Sequence, residues 1–273
     1  MTTVTHTAGF GTDWADRQRR RPEGRRRAAA FSPWFRADWR DVLFVHYAID
    51  PAILGPRTPF ELDLFDGLAW VSLVAFTQVG MRPAVGGAIG AALMRPVATH
   101  PFLNLRTYVR VDGRRAIQFL AEWIPNRFAM LVGPRMYGLP FRLGQLDYRQ
   151  DRRDVTAEGD AFRLTATAAA ADAVVQEAED GSLDEFLLER YTAVTWRERR
   201  GRRFDIEHAP WRWRRAGVAV EDDTLIQRAA PWFAAARPVS AHASEGVSGV
   251  GIGGPARVAP NNGLCHGGGK LSS

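Results

Sequence analysis

Asn104, Arg106 and Tyr108 recur at every second position of LNLRTYVRV, a spacing that puts all three on one face of an extended strand. A guanidinium is a planar fork of donors that stays protonated. Arg106 beside a phenol and the amides of Asn104 and Gln118 therefore suits a carboxylate or a phosphate ligand. The competing possibility is a solvated strand face or a structural ion pair. His46 joins the candidate ligand-binding set as a group that can titrate near neutrality. His46 with Asp50 nearby, His208 behind Glu207, and His100 are candidate bases or metal ligands, but no two have close ligand spacing, so no metal site is expected. Glu61, Asp63 and Asp66 cluster in sequence as possible acid/base groups, although alternate acidic residues usually keep an edge strand soluble. Trp211 and Trp213 alternate with Arg212, Arg214 and Arg215, which fits a stacking platform for nucleic acid or equally interior rings with solvated arginines. No glycine-rich phosphate loop followed by lysine exists, and no cofactor is expected.

These residues need a sheet to position them. His100 to Pro125 reads as a β-hairpin in which Leu103, Leu105, Val109 and Val111 alternate with polar residues, and Ile117, Phe119, Ala121 and Trp123 share a face of the returning arm. Matching those faces requires an odd connection. A three-residue loop of Val111, Asp112 and Gly113 supplies one and sets Arg106 opposite Gln118. Trp39 to Ile49 is a strand with Val42, Phe44, His46 and Ala48 on one face, and both faces look buried. Asp50-Pro51 then opens a short turn or helix. A second hairpin is expected around Asp66-Gly67, with Leu62 and Leu64 in its first arm and the almost wholly apolar Leu68 to Phe76 as a central strand. Residues 80–99 read as a loop with one helical turn, and a possible lid. Asn126 caps a helix that Gly133-Pro134 should break. Phe162, Leu164, Ala166 and Ala168 mark a strand. Ser182 and Glu185 form a capping box for a helix carrying Leu183, Phe186, Leu187, Tyr191 and Val194. Past Gly201, Phe204, Ile206 and His208 alternate again.

The chain has 273 residues, 46% of them hydrophobic, enough for a full core. Its formal charge of +6 sits at the ends. Seven arginines fall within residues 1–30 and Arg237, Arg257 and Lys270 after residue 236, which leaves 26 of the 36 basic residues against 26 of the 30 acidic ones in between. Residues 1–30 are expected to be a disordered basic arm, 31–236 a single globular domain, and 237–273, with nine glycines, a disordered tail. The neutral body argues against nucleic acid as a partner. Cys265 is the only cysteine, so no intramolecular disulfide can form. Val85 to Met94 is about half the length of a membrane span. The arginines before Ala28 to Ala30 are not followed by an apolar segment, and a cytoplasmic protein is expected.

The strings FVHYAIDPAIL, LDLFDGLAWVSLVAF, LNLRTYVRVDG and MYGLPF, in this order, resemble the YqjF-like family of uncharacterised bacterial proteins, over roughly residues 34–230. That resemblance implies the α+β fold of acetoacetate decarboxylase, a mainly antiparallel, cone-like β-barrel with a few flanking helices and a pocket inside. The decarboxylase acts through a Schiff-base lysine of lowered pKa. Here the only lysine is Lys270, near the chain end, and arginine cannot replace it as a nucleophile. The resemblance also implies a Glu two positions before Asn104, where Phe102 stands. The expected function is binding of a small carboxylated or oxo molecule in the barrel pocket without Schiff-base chemistry. The alternatives are a non-covalent acid/base enzyme in that pocket and an interaction module that uses the basic arm.

Overall fold

The computed structural model describes residues 31–149, 151–167 and 174–260. Seven strands close into a ring: β1 (Pro33–Ile49), β2 (Ala69–Pro83), β3 (His100–Val111), β4 (Arg114–Ile124), β5 (Thr192–Arg197), β6 (Arg200–Glu207) and β7 (Pro238–Gly253). The order is β7-β1-β2-β3-β4-β5-β6, and β6 returns to β7 where Ile206 faces Ile252. Each pairing is antiparallel except the short parallel contact of β4 with β5. The result is the expected α+β fold built on a mainly antiparallel barrel. Five helices flank the ring among the described residues: α1 (Pro51–Leu54), α2 (Gly87–Ala98), α3 (Arg127–Tyr137), α4 (Leu183–Leu188) and α5 (Thr224–Ala229).

Strand alternation divides the core in two. Val42, Phe44, Val74, Phe76, Phe102, Tyr108, Ile117, Phe204 and Ile206 point into the ring with Trp211. Leu43, Val45, Tyr47, Leu73, Leu103, Leu105 and Trp123 point out, under a second antiparallel sheet that contributes Val155, Phe162 and Leu164. Both faces of β1 and β2 are thus buried, as their dense apolar patterns require.

The hairpin β3–β4 has the expected arms and a different turn. Val111 pairs with Arg114 across a two-residue Asp112-Gly113 loop with φ of 50° and 75°, the primed turn whose twist suits a hairpin. Parity is restored further along by a β-bulge. Leu105 faces Ala121 while Arg106 faces Phe119, so Leu120 is the extra residue. Leu103 and Trp123 then share the outer face with Ala121, whereas Ile117 and Phe119, expected on that same face, lie before the bulge and point inward.

Other expectations are corrected by long-range contacts. The chain turns at Asp66-Gly67 with Phe65 bridging Leu68, but Glu61–Leu62 pairs with β3 and not with the returning arm, and Asp63 between them binds the buried Arg190. The 80–99 stretch extends β2 to Pro83 and then forms the three-turn α2 in place of a loop. α3 runs through Gly133-Pro134 and ends at Gly138, with Asn126 capping it as expected. α4 stops at Leu188, so Tyr191 and Val194 fall outside it. Ser182 caps Glu185 N–H, but the Glu185 carboxylate pairs with Arg115 instead of closing a capping box. The largest correction concerns the expected tail. Residues 238–253 are the strand that closes the ring, and its alternation is hidden because its outward positions are small (Ala241, Ala243), while its inward ones mix His242 and Ser244 with Val247 and Val250 across a register shift. Gly246, with φ of 111°, lies so near β1 that a Cβ there would run into the Trp39 carbonyl. Residues 1–30, Ala168, Cys265 and Lys270 lie outside the described residues.

Candidate functional site

Of the five residues expected to line a site, four point into the ring. His46 on β1, Ser72 on β2 and Arg106 on β3 are successive register partners, and Asn104 and Tyr108 flank Arg106 on the same face. Gln118 does not join them. It faces Thr107 on the outer side, where its amide oxygen accepts from the buried Thr58 hydroxyl. The bulge at Leu120 explains the exchange. Beyond it the even positions of β4 turn inward, so Glu122 stands opposite Asn104. A carboxyl therefore sits across from Asn104 although Phe102 occupies the place where one was expected on β3.

Arg106 is only 8% exposed. One terminal nitrogen donates to the Leu187 carbonyl at 3.3 Å, the Nε finds no partner, and among the described residues no carboxylate lies at ion-pair distance. Its guanidinium rests 5.4 Å above the Phe44 ring. Asn104 Oδ1 and Glu122 Oε2 are likewise buried without partners. Burial pushes the Glu122 carboxyl up to about 8, so it is protonated at neutral pH and can donate. An unpaired cation, a neutral acid and a free amide acceptor thus converge on one inner face. Polar atoms held this way cost free energy unless something meets them.

His46 belongs to a longer connection. Its Nδ1 lies 2.6 Å from Ser72 Oγ and its Nε2 3.0 Å from His242 Nδ1, while His242 Nε2 lies 3.0 Å from Asp184 Oδ1. Ser72 Oγ is 2.5 Å from the Tyr108 hydroxyl, which is 2.9 Å from the Leu187 carbonyl. Sequence reasoning missed Ser72, Glu122, Asp184 and His242. A lone hydroxyl in an otherwise apolar strand was the available signal for Ser72. His242 was hidden because it falls in the stretch 237–273, whose nine glycines read as a tail.

The remaining candidates serve the fold. His100 stacks on Phe102 at 4.6 Å, and His208 packs against Tyr191 at 4.7 Å and donates its Nδ1–H to the Ala209 carbonyl. Burial pushes both down to about 4. Among the described residues, no three His, Cys, Asp or Glu side chains gather as metal ligands. Asp63 is buried and binds Arg190 at 2.6 Å and Arg110 at 2.9 Å, while Glu61 and Asp66 stay apart from it. Burial pushes Arg190 down to about 10. Trp211 and Trp213 are interior rings. An open cleft of about 440 Å³ beside α3 is lined by Arg135, Arg197, Arg200 and Arg202 together with Glu198, which pairs with Arg197. Arg200 and Arg202 share the strand face that carries Phe204 inward.

Comparison with known proteins follows the same lines. The profile of the DUF2071 family, described as an uncharacterized conserved protein, matches residues 36–248. Protein YqjF of Bacillus subtilis (strain 168) is 30% identical over 202 residues, covering 70% of this chain and 79% of that one. Among solved structures, acetoacetate decarboxylase from Legionella pneumophila superposes with a TM-score of 0.57 at 12% identity, over 94% of this chain and 99% of the other. The enduracididine biosynthesis enzyme MppR complexed with pyruvate does so with a TM-score of 0.55 at 15% identity, over 88% and 96%. At such identities the likeness establishes the fold alone.

Proposed function

We propose, for a chain that belongs to the DUF2071 family of uncharacterized conserved proteins, that the ring interior binds a small carboxylated or oxo molecule at Arg106 without Schiff-base chemistry. The observation that carries this is the buried Arg106 guanidinium, which among the described residues has one carbonyl acceptor and no counter-carboxylate. A carboxylate ligand would supply the missing charge and accept from the free Nε. Glu122, as a neutral acid, favours an anion with a carbonyl or hydroxyl to spare. Lys270, the only lysine, lies outside the described residues, and no imine is proposed. MppR was solved with pyruvate, which makes pyruvate a reasonable first probe. Non-covalent acid/base catalysis in the same interior is the second possibility, favoured by the raised pKa of Glu122. The sequence indicates a cytoplasmic setting. No helix of the described residues is long and apolar enough to cross a membrane.

A thermal-shift screen of the full chain and of Arg106→Gln against pyruvate, other oxo-acids, simple carboxylates, phosphate and fatty acids tests the assignment. A ligand at 100 times its Kd stabilises by about 2.7 kcal/mol. Stabilisation by an oxo-acid or carboxylate that vanishes in Arg106→Gln is the expected result. Silence from every acid, or a shift indifferent to the substitution, overturns it.

A further inference from the structure

Tyr108, Ser72, His46, His242 and Asp184 are linked head to tail by heavy-atom distances of 2.5 to 3.0 Å. Ser72, His46, Tyr108 and His242 are fully buried, while Asp184 is partly exposed and paired with the exposed Arg215 at 2.9 Å. The connection leaves α4 at the Asp184 carboxylate and returns to it at the Leu187 carbonyl. Trp213 closes edge-on over His242 at 4.5 Å.

Hydrogen-bond chemistry allows this chain two complete arrangements. When both rings are neutral, every donor points outward: Tyr108 to Ser72 Oγ, Ser72 to His46 Nδ1, His46 Nε2–H to His242 Nδ1, and His242 Nε2–H to Asp184. Arg106 then satisfies the Leu187 carbonyl. With one proton added, the donors inward of His242 reverse. His242 Nδ1–H points to His46 Nε2, His46 Nδ1–H to Ser72, Ser72 to Tyr108, and Tyr108 to the Leu187 carbonyl, while His242 keeps its bond to Asp184. Every link is satisfied in both states.

We propose that this chain is a proton wire, which makes the Tyr108–Ser72 hydroxyl pair a proton acceptor for whatever occupies the ring interior beside Arg106. The occupant's proton goes to the Tyr108 oxygen, and each link passes its own proton one place outward. The charge emerges as an imidazolium on His242, facing Asp184. Only O–H and N–H bonds exchange, plus the bond that the occupant gives up. Tyr108 and Arg106 share the Leu187 carbonyl, so an anion seated on the guanidinium lies beside that hydroxyl. The charged and titratable groups facing the two rings are Asp184 from α4, Arg215 beside it, and Arg106 and Tyr108 from β3. Burial holds both histidines below their ordinary range. His46 is lowered further by His242, Arg106 and Arg215, and Asp184 opposes the effect on His242. At neutral pH the chain is therefore empty and ready to accept. The proposal rests on the ligand assignment above only for the source of the proton, because the wire exists without an occupant.

Histidine ¹⁵N NMR of the full, unliganded chain tests it across pH. Near neutrality, His46 and His242 should both carry their proton on Nε2. On acidification the pair should take up one proton, and His46 should switch to Nδ1–H in step with the charging of His242. Asp184→Asn and Ser72→Ala should each move that switch to lower pH, with an about tenfold loss of proton affinity or more. If His46 keeps Nε2–H while His242 charges, or folded variants switch at the wild-type pH, the wire is overturned. A negative ligand screen with the switch intact would sink the binding assignment alone.

Discussion

Glu122 carries a carboxylic acid into an apolar ring, and its pH behaviour should be visible in stability. Folded, it holds its proton to about 8 against an ordinary 4.5, so between those values the folded chain binds more protons than the unfolded one. Stability must then fall as pH rises through that window and level off above it. At about 1.4 kcal/mol per unit the decline amounts to a few kcal/mol. Chemical denaturation from pH 5 to 9 should show this decline in the wild type and a flatter profile in Glu122→Gln. Asp63 makes the opposite case, a charged carboxylate buried against Arg190, Arg110 and Arg115. Asp63→Asn leaves those cations without their common partner and should cost about 3–5 kcal/mol, measured by urea unfolding. A loss under 1 kcal/mol would mean that the cluster contributes little. Neither role was legible from residue type. Asp63 sits in an alternating acidic stretch that looks solvated, and Glu122 was not singled out because nothing local distinguishes a buried carboxyl from a solvated one at an alternating strand position.

At the scale of elements, alternation identified β1, β2, β3 and β4 and put Asn104, Arg106, Tyr108 and His46 on faces that do converge. The need for an odd offset between the arms of β3 and β4 was also legible. Its position was not, since a primed Asp-Gly turn with a bulge at Leu120 satisfies the same parity as a longer loop. α4 was over-extended because Tyr191 and Val194 continue a helical spacing, while the buried Arg190–Asp63 pair and strand pairing by Thr192 and Val194 end it. β7 was missed because its packing uses absent side chains. That claim has a measurable form. Gly246→Ala must move the β1 backbone at Trp39 from a residue of positive φ, and should lower stability by about 2–4 kcal/mol. Gly249, also of positive φ but with open space around it, should cost only about 1 kcal/mol as alanine. Equal losses at the two sites in thermal melts would refute the close approach.

For the molecule as a whole, the ring is closed by pairing Pro33 with Gly253 and His46 with Ser240, contacts between segments about 200 residues apart. Ending the chain after Arg237 would trim a dispensable tail if 237–273 were disordered. Here it removes the partner of both β1 and β6. That truncation should abolish cooperative unfolding and leave a protease-sensitive product, whereas native-like melting would contradict the ring. The neutral charge of the body between the two basic ends, by contrast, was legible from composition alone. Closure also orders events in time. On a ribosome β1 emerges about 200 residues ahead of β7 and waits for that neighbour while β2 to β6 are made. His242 arrives with that last strand, so a nascent chain holds Arg106, Ser72 and Tyr108 but has no outlet for a proton. Protonic connection to solvent is then the last part of the site to be assembled, and it comes into being only with the strand that closes the ring.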